Sequence, residues 1–219
     1  MNAKSAETRA RILDAAMELF RRQGFEETTM REIAAGAGMA TGAAYYYFDS
    51  KDAIALAFYD QSQQDLEPLI EQALAGGKHL KDRLVALLEA KLRYFEPNRR
   101  LLGALAAHAD PAHPISPFSA RTREIRERDV ASFVRILEAG GTQTPRDLEP
   151  HLPRILWMYQ MGLILFWIYD RSPAQARTHT LIRKSAAIVE RLVQAAAFPL
   201  LRPVRRMVAD LMQTVMEES

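Results

Sequence analysis

With 219 residues, 48% of them hydrophobic, the chain is large enough to bury a core without covalent staples. It contains no cysteine, which excludes disulfides and thiolate metal sites and leaves nothing to argue for an oxidising compartment. A net charge of +2 neither demands nor excludes a polyanionic partner.

The stretch 1–8 is polar and leads into an amphipathic pattern, so it lacks the apolar run of a signal peptide. Ile12, Ala16, Leu19 and Phe20 then recur at helical spacing and predict a helix over about 5–24, with Gly24 as its stop. Thr29 and Glu32 form a T-x-x-E capping box that opens a short second helix, which meets Gly36 and Gly38. A glycine there takes the left-handed backbone of a sharp turn. A third short helix over 41–47 carries Tyr45, Tyr46 and Tyr47, with Thr41 as an alternative to Ala40 for its cap. Asp49 or Ser50 caps a fourth helix that runs to about Ala75.

Leu80, Leu84, Leu87, Leu88, Leu92 and Phe95 make the next apolar stripe, stopped near Pro97 ahead of a segment over 101–109. Prolines at 111, 114 and 117 mark a loop over 110–117. Helical periodicity resumes over 118–139 and ends at Gly140 and Gly141. The segment 152–169 is apolar around nearly its whole circumference and must be covered on more than one side. Its apolar run, Ile155 to Tyr169, contains Gln160 and is shorter than the roughly 18 residues of a membrane span. In 173–198, Leu181, Ile188 and Leu192 share one face, with Ile182, Ala186, Val189 and Val193 on an adjacent one. A final helix covers 204–216. Sustained period-two alternation is absent from the sequence, so the expected class is all-α.

Short capped helix, glycine turn and short helix over 29–48 give the spacing of a helix-turn-helix, whose second helix enters the major groove. The order Gly24-Phe25, Thr29, Ile33-Ala34, Ala37-Gly38, Gly42, Tyr45, Phe48 and Ser50-Lys51 resembles the DNA-binding domain of TetR-type regulators. The resemblance implies a helix-turn-helix head over 1–50, joined to a larger helical effector-binding and dimerisation domain over 51–219. It further implies DNA contacts from Lys4 and Arg9 on an N-terminal arm and from Thr28, Thr29 and Arg31 at the start of the second helix. Thr41, Gly42, Ala43, Tyr45, Tyr46 and Tyr47 follow on the recognition helix, and Lys51 at the fourth.

These residue types suit the task. Gly42 and Ala43 admit the groove wall, hydroxyls at Thr41, Tyr45 and Tyr46 offer hydrogen bonds, and Lys51 adds its charge to a helix start. For the tyrosines, packing beneath the fourth helix is the competing role, most strongly for Tyr47; Phe48 reads as core. Residues 1–60 hold seven Lys and Arg against nine Asp and Glu, 7 − 9 = −2, so affinity must come from placement and the salt dependence is expected to be modest.

A small-molecule effector is expected among the central helices. The candidate lining is Tyr94, Phe95, His108, Phe118, Trp157, Met158, Tyr159, Gln160, Met161 and Phe166, with plain core packing the competing role for the aromatic and methionine residues. His108, Asp110 and His113 lie in the proline loop and read as surface rather than metal ligands, and no cofactor is expected. The sequence has no nucleophile elbow or phosphate-binding glycine loop, so it does not read as an enzyme.

The resulting reading is a cytoplasmic homodimer without a membrane partner. Segments 152–169 and 173–198 pair with their symmetry mates, and two recognition helices meet a palindromic double-stranded operator that an apolar or amphipathic effector vacates. The alternative is a ligand-independent architectural protein with a DNA-tethering head.

Overall fold

The computed structural model describes residues 3–139 and 144–217, so the expected helix stop at Gly140 and Gly141 lies outside the described residues. The elements are α1 (Ala3–Arg22), α2 (Met30–Gly36), α3 (Thr41–Tyr47), α4 (Lys51–Ala75), α5 (Leu80–Phe95), α6 (Arg99–Ala106), α7 (Arg123–Ala139), α8 (Leu152–Tyr169), α9 (Ala176–Ala196) and α10 (Arg202–Glu217). No β-strand occurs among the described residues, and the class is all-α. The chain divides into two compact units, one of residues 1–64 with 95–123 and one of 65–94 with 124–219.

In the first unit, α1 buries Ile12, Leu13, Ala16, Met17, Leu19 and Phe20, and α2 adds Met30, Ile33 and Ala34. Ala44 and Phe48 seat α3 in the same core, and Phe20 meets Phe25 at 5.0 Å between ring centroids. Gly24 has φ +102° and Gly38 φ +67°, the left-handed conformations on which the two turns depend. Gly36 instead ends α2 without a positive φ, and an added Cβ would make only ordinary contact, 3.5 Å, with that of Ala15.

The expected helix over 118–139 begins five residues late, at Arg123. Hydroxyls offer the preceding backbone other partners: Ser116 donates to Ala109 O (3.0 Å), Ser119 to Pro114 O (2.9 Å) and Thr122 to Ser116 O (2.7 Å). These bonds fold residues 108–122 around the buried Ile115.

The second unit buries Leu84, Leu87 and Leu88 of α5, Phe133 and Ile136 of α7, Leu156, Trp157, Leu163 and Trp167 of α8, and Ile182, Ala186 and Val193 of α9. Three of its buried charges serve helix ends. Arg83 donates to Leu74 O (3.1 Å), Arg205 to Ala196 O (2.5 Å), and the Asp170 carboxylate accepts from the N–H groups of Ser172 and Thr178 (2.9 Å each). Asp170 takes the capping role at the start of α9, since Gln175, which like Ala174 is in the left-handed region (φ 50° and 48°), makes no side-chain cap bond while Thr178 N–H and Oγ1 donate to Asp170 Oδ2. α9 therefore starts three residues after Pro173. Lys91 differs from these end-capping charges. Its ammonium pairs with Asp129 and donates to Gln160 Oε1 (2.7 Å), while Gln160 Nε2 donates to Asp129 Oδ2 (2.6 Å), a closed ring tying α5, α7 and α8.

Candidate nucleic-acid interface and effector region

The start of α2 is fixed by a reciprocal pair. Glu32 N–H donates to Thr29 Oγ1 (3.2 Å), and Thr29 N–H donates to Glu32 Oε2 (2.8 Å). Hydrogen bonds from Thr29, first from its hydroxyl and then from its backbone, hold the Glu32 carboxyl below the usual glutamate range. Thr29 is exposed, whereas Thr28 is 1% exposed and donates its hydroxyl to Gly24 O (2.6 Å). The expectation of a DNA contact from the Thr28 side chain is corrected accordingly: it ties the turn and faces the core.

The cap of α3 is Ala40, without a side-chain hydrogen bond, and Thr41 is its first helical residue rather than its cap. Ala44 is wholly buried beneath the helix, and the opposite side carries exposed Gly42, Ala43, Tyr45 and Tyr46, the tyrosines at 50% and 84% exposure. A Cβ on Gly42 would meet nothing within 4 Å, so no packing inside the chain requires glycine there. Tyr47 is half-buried and sets its ring edge-on to Tyr46, centroids 5.3 Å apart.

Around this face, Arg31 is exposed on α2. Lys4 and Arg9 lie within helix α1, which corrects the expectation of an arm; Thr8 Oγ1 donates to Lys4 O (2.9 Å). The Arg9 guanidinium sits 4.6 Å from the centroid of the Phe48 ring. Ser50 is the residue that caps α4, accepting from Ala53 N–H (3.1 Å). Lys51 follows, and its ammonium donates to Phe25 O (2.8 Å) and Glu26 O (3.1 Å) while lying 4.8 Å from the Phe25 ring centroid. Two of its three N–H donors thus brace the turn between α1 and α2. The sequence gives no sign of this bracing, nor of Arg100, which donates to Arg22 O (3.4 Å) and Gln23 O (3.3 Å) at the end of α1.

The ten effector candidates do not share one environment. In the first unit, Phe95 is buried 6.1 Å from Phe58, His108 Nε2 is 3.3 Å from Glu26 Oε1 with its ring stacked on His113, and Phe118 is exposed. In the second, Trp157 and Gln160 point inward and Met161 is half-buried, whereas Met158 and Phe166 stand on the exposed side of α8. Tyr159 OH lies 2.5 Å from Ser185 Oγ, and Tyr94 OH donates to Asp65 Oδ2 (2.7 Å), with burial and then this bond pushing the Tyr94 phenol up. The expectation that the α8 residues line one pocket together is corrected by the helical period. Positions 157 and 160 fall on the core face, 158 and 166 on the outer one.

The profile described as bacterial regulatory proteins, tetR family, matches residues 12–58, and that described as tetracyclin repressor-like, C-terminal domain, matches residues 83–211. The HTH-type transcriptional regulator SrpR of Pseudomonas putida is 36% identical over 88 residues, 40% of this chain and 41% of SrpR. Across SrpR and two further regulators the alignment spans only 41% to 66% of the relatives' own lengths. An uncharacterized HTH-type transcriptional regulator of Mycobacterium tuberculosis is 30% identical over 179 residues, covering 81% of this chain and 84% of that protein. Among solved structures, the TetR-family transcriptional repressor FadR of Thermus thermophilus, in complex with lauroyl-CoA, is similar with a TM-score of 0.63 and 25% identity over 82% of this chain and 93% of that one.

Proposed function

The chain belongs to the TetR family of bacterial transcriptional regulators, and on that premise we propose that it is an effector-responsive repressor that grips a palindromic operator as a homodimer. The observation that carries the DNA reading is the outer face of α3, where Gly42, Ala43, Tyr45 and Tyr46 are exposed on a helix anchored from below by Ala44 and Phe48. Small residues let the helix approach base edges and the phenols supply hydroxyls to bases and phosphates. Thr41 and Tyr47 flank this face, Thr29 and Arg31 contribute at the start of α2, and Lys4 and Arg9 reach phosphates from α1. Lys51 acts chiefly by holding the turn that carries α2, with one N–H donor left for phosphate.

The dimer reading is supported by apolar surface. Met158, Leu165, Phe166 and Tyr169 on α8 and Ile188 and Leu192 on α9 are exposed in the single chain. Each is about half exposed, so covering what remains is worth roughly half of the ~1.5–3 kcal/mol of full burial, and a second copy laying its own α8 and α9 on these rows is the natural cover. The effector is an apolar or amphipathic small molecule bound among the helices of the second unit, an idea in keeping with the lauroyl-CoA held by the Thermus FadR. It lowers operator affinity by no more than its own preference for the state that does not bind DNA. The protein acts in the cytoplasm, where the chromosome is.

Selection of bound fragments from genomic DNA tests the reading. The expected product is a short inverted repeat protected on both half-sites by the full chain. Equal, salt-sensitive binding to every fragment would refute operator recognition and favour an architectural, DNA-tethering protein.

A further inference from the structure

The outer side of α5 carries two adjoining hollows in the second unit. One, of about 790 Å³, opens between Lys81, Val85 and Ala86 of α5 and Arg183, Ala187 and Arg191 of α9. The other, of about 480 Å³, shares Val85 and Ala86 and continues past Ala90 to Tyr94, with Leu69 and Ala73 of α4 as its far wall. The shared residues make them one furrow. From Lys81 to Tyr94 it follows α5 for roughly 20 Å at the helical rise per residue. It is hollow because Ala73, Ala86, Ala90 and Ala187 stand where longer side chains would fill the space between helices.

Its two ends differ in charge. Lys81, Arg183, Lys184 and Arg191 gather at the first end against the single lining carboxylate of Asp82. Arg183 and Arg191 fall on one row of α9 with Ala187 between them, at i, i+4 and i+8. None of the four cations forms an ion pair among the described residues, and the nearby Glu190 carboxylate accepts from the Lys81 backbone N–H (3.1 Å). Beyond them the furrow is lined by Val85, Ala86, Ala90, Leu69 and Ala73, with Gln72 as a neutral polar group on the α4 wall, and by Glu89, which pairs with His179 (2.6 Å), Arg93 and Tyr94 at the rim. Clustered like charges raise each other's cost, and an anion bound among them relieves it. An aliphatic trough leading away from such a cluster takes an extended alkyl chain.

We propose that this furrow binds a single-chain amphipathic anion, with its carboxylate or phosphate head among Lys81, Arg183, Lys184 and Arg191 and its tail along Val85, Ala86 and Ala90. This names a chemical class and a place for the effector invoked above, and only its link to operator release rests on that reading. Ile188 lines the furrow and also belongs to the exposed apolar row of α9, so an occupant there touches the surface on which a second copy would sit.

The test is calorimetric titration of the full chain with palmitate and with hexadecyl phosphate, using hexadecanol and inorganic phosphate as controls. Both anions bind, and each control binds at least about tenfold more weakly. The double variant Arg183→Glu/Arg191→Glu loses at least about tenfold for both anions, and Ala86→Trp, which fills the trough from a half-exposed position, loses about as much. Circular dichroism and operator affinity without ligand stay unchanged in both variants. Hexadecanol binding as well as palmitate, full binding by Ala86→Trp, or no binding at all would overturn the proposal. So would a changed sedimentation coefficient in Ala86→Trp, which would assign the furrow to a second copy. Operator affinity measured in parallel separates the readings: anion binding without operator recognition removes the proposed function and keeps the furrow, and the reverse removes only the furrow.

Discussion

Gly42 stands in the first turn of α3, where glycine costs at most about 0.5–1 kcal/mol relative to alanine, with nothing in its own chain near enough to demand it. On the proposed function, the close approach of DNA is what glycine serves there. Gly42→Ala is therefore expected to leave the thermal transition unchanged or raise it, while weakening operator binding about tenfold, or ~1.4 kcal/mol, in a fluorescence anisotropy titration. Equal affinity in the variant would remove Gly42 from the interface. Thr29→Ala should act differently, lowering stability by about 1 kcal/mol through loss of the capping box, as read by urea unfolding. The box was legible in the sequence because both partners lie within three residues. The inward turn of Thr28 was not, since neighbouring threonines look alike until the turn at Gly24 sets their directions. Nor was the bracing by Lys51, whose carbonyl partners are 26 and 25 residues away.

Single elements show the same division between local and distant causes. The α9 pattern announced its two faces: Ile182, Ala186 and Val193 are buried while Ile188 and Leu192 are exposed. For α8 the period separates Met158 and Phe166 from Trp157 and Gln160, but with apolar residues all round it does not say which face is core. The ring of Lys91, Asp129 and Gln160 spans three helices and left no local trace. Lys91 and Gln160 are 3% and 1% exposed, so Lys91→Met alone leaves Asp129 a mostly buried charge without its counter-charge and should cost about 3–5 kcal/mol in urea unfolding. Lys91→Met combined with Asp129→Leu should regain most of that loss, and failure to regain it would show that the ring does more than satisfy its own charges.

At the start of α9, burial pushes the Asp170 carboxyl up. The Ser172 N–H and the Thr178 hydroxyl and N–H outweigh that effect and hold it well below the usual range. A carboxyl depressed in the folded state contributes stability above its unfolded value, about 3.9 for aspartate, and that contribution fades as pH falls through the folded value. Wild type should exceed Asp170→Asn in stability at neutral pH, and the gap should narrow only in strong acid. A gap that is constant with pH would contradict the assignment.

For the molecule as a whole, all-α class and a helix-turn-helix head followed from helical periodicity and the local signals at Gly24, Thr29 and Gly38, whereas the starts of α3, α7 and α9 carry no such clear mark. Assembly is a different matter: exposed rows are visible only once the single chain is folded. Phe166→Asp together with Leu165→Asp is expected to convert a dimer to a monomer in sedimentation velocity at micromolar concentration with helicity retained. An unaltered dimer would place the interface elsewhere.

On the proposed function the outer face of α3 reads DNA, and Tyr46, at 84% exposure, isolates that role from folding. The deciding measurement is the affinity of Tyr46→Ala for the selected operator at physiological salt, with sedimentation and unfolding recorded on the same sample. The expected result is at least about a tenfold loss of affinity, ~1.4 kcal/mol, with mass and stability unchanged. Wild-type affinity in that variant would contradict it.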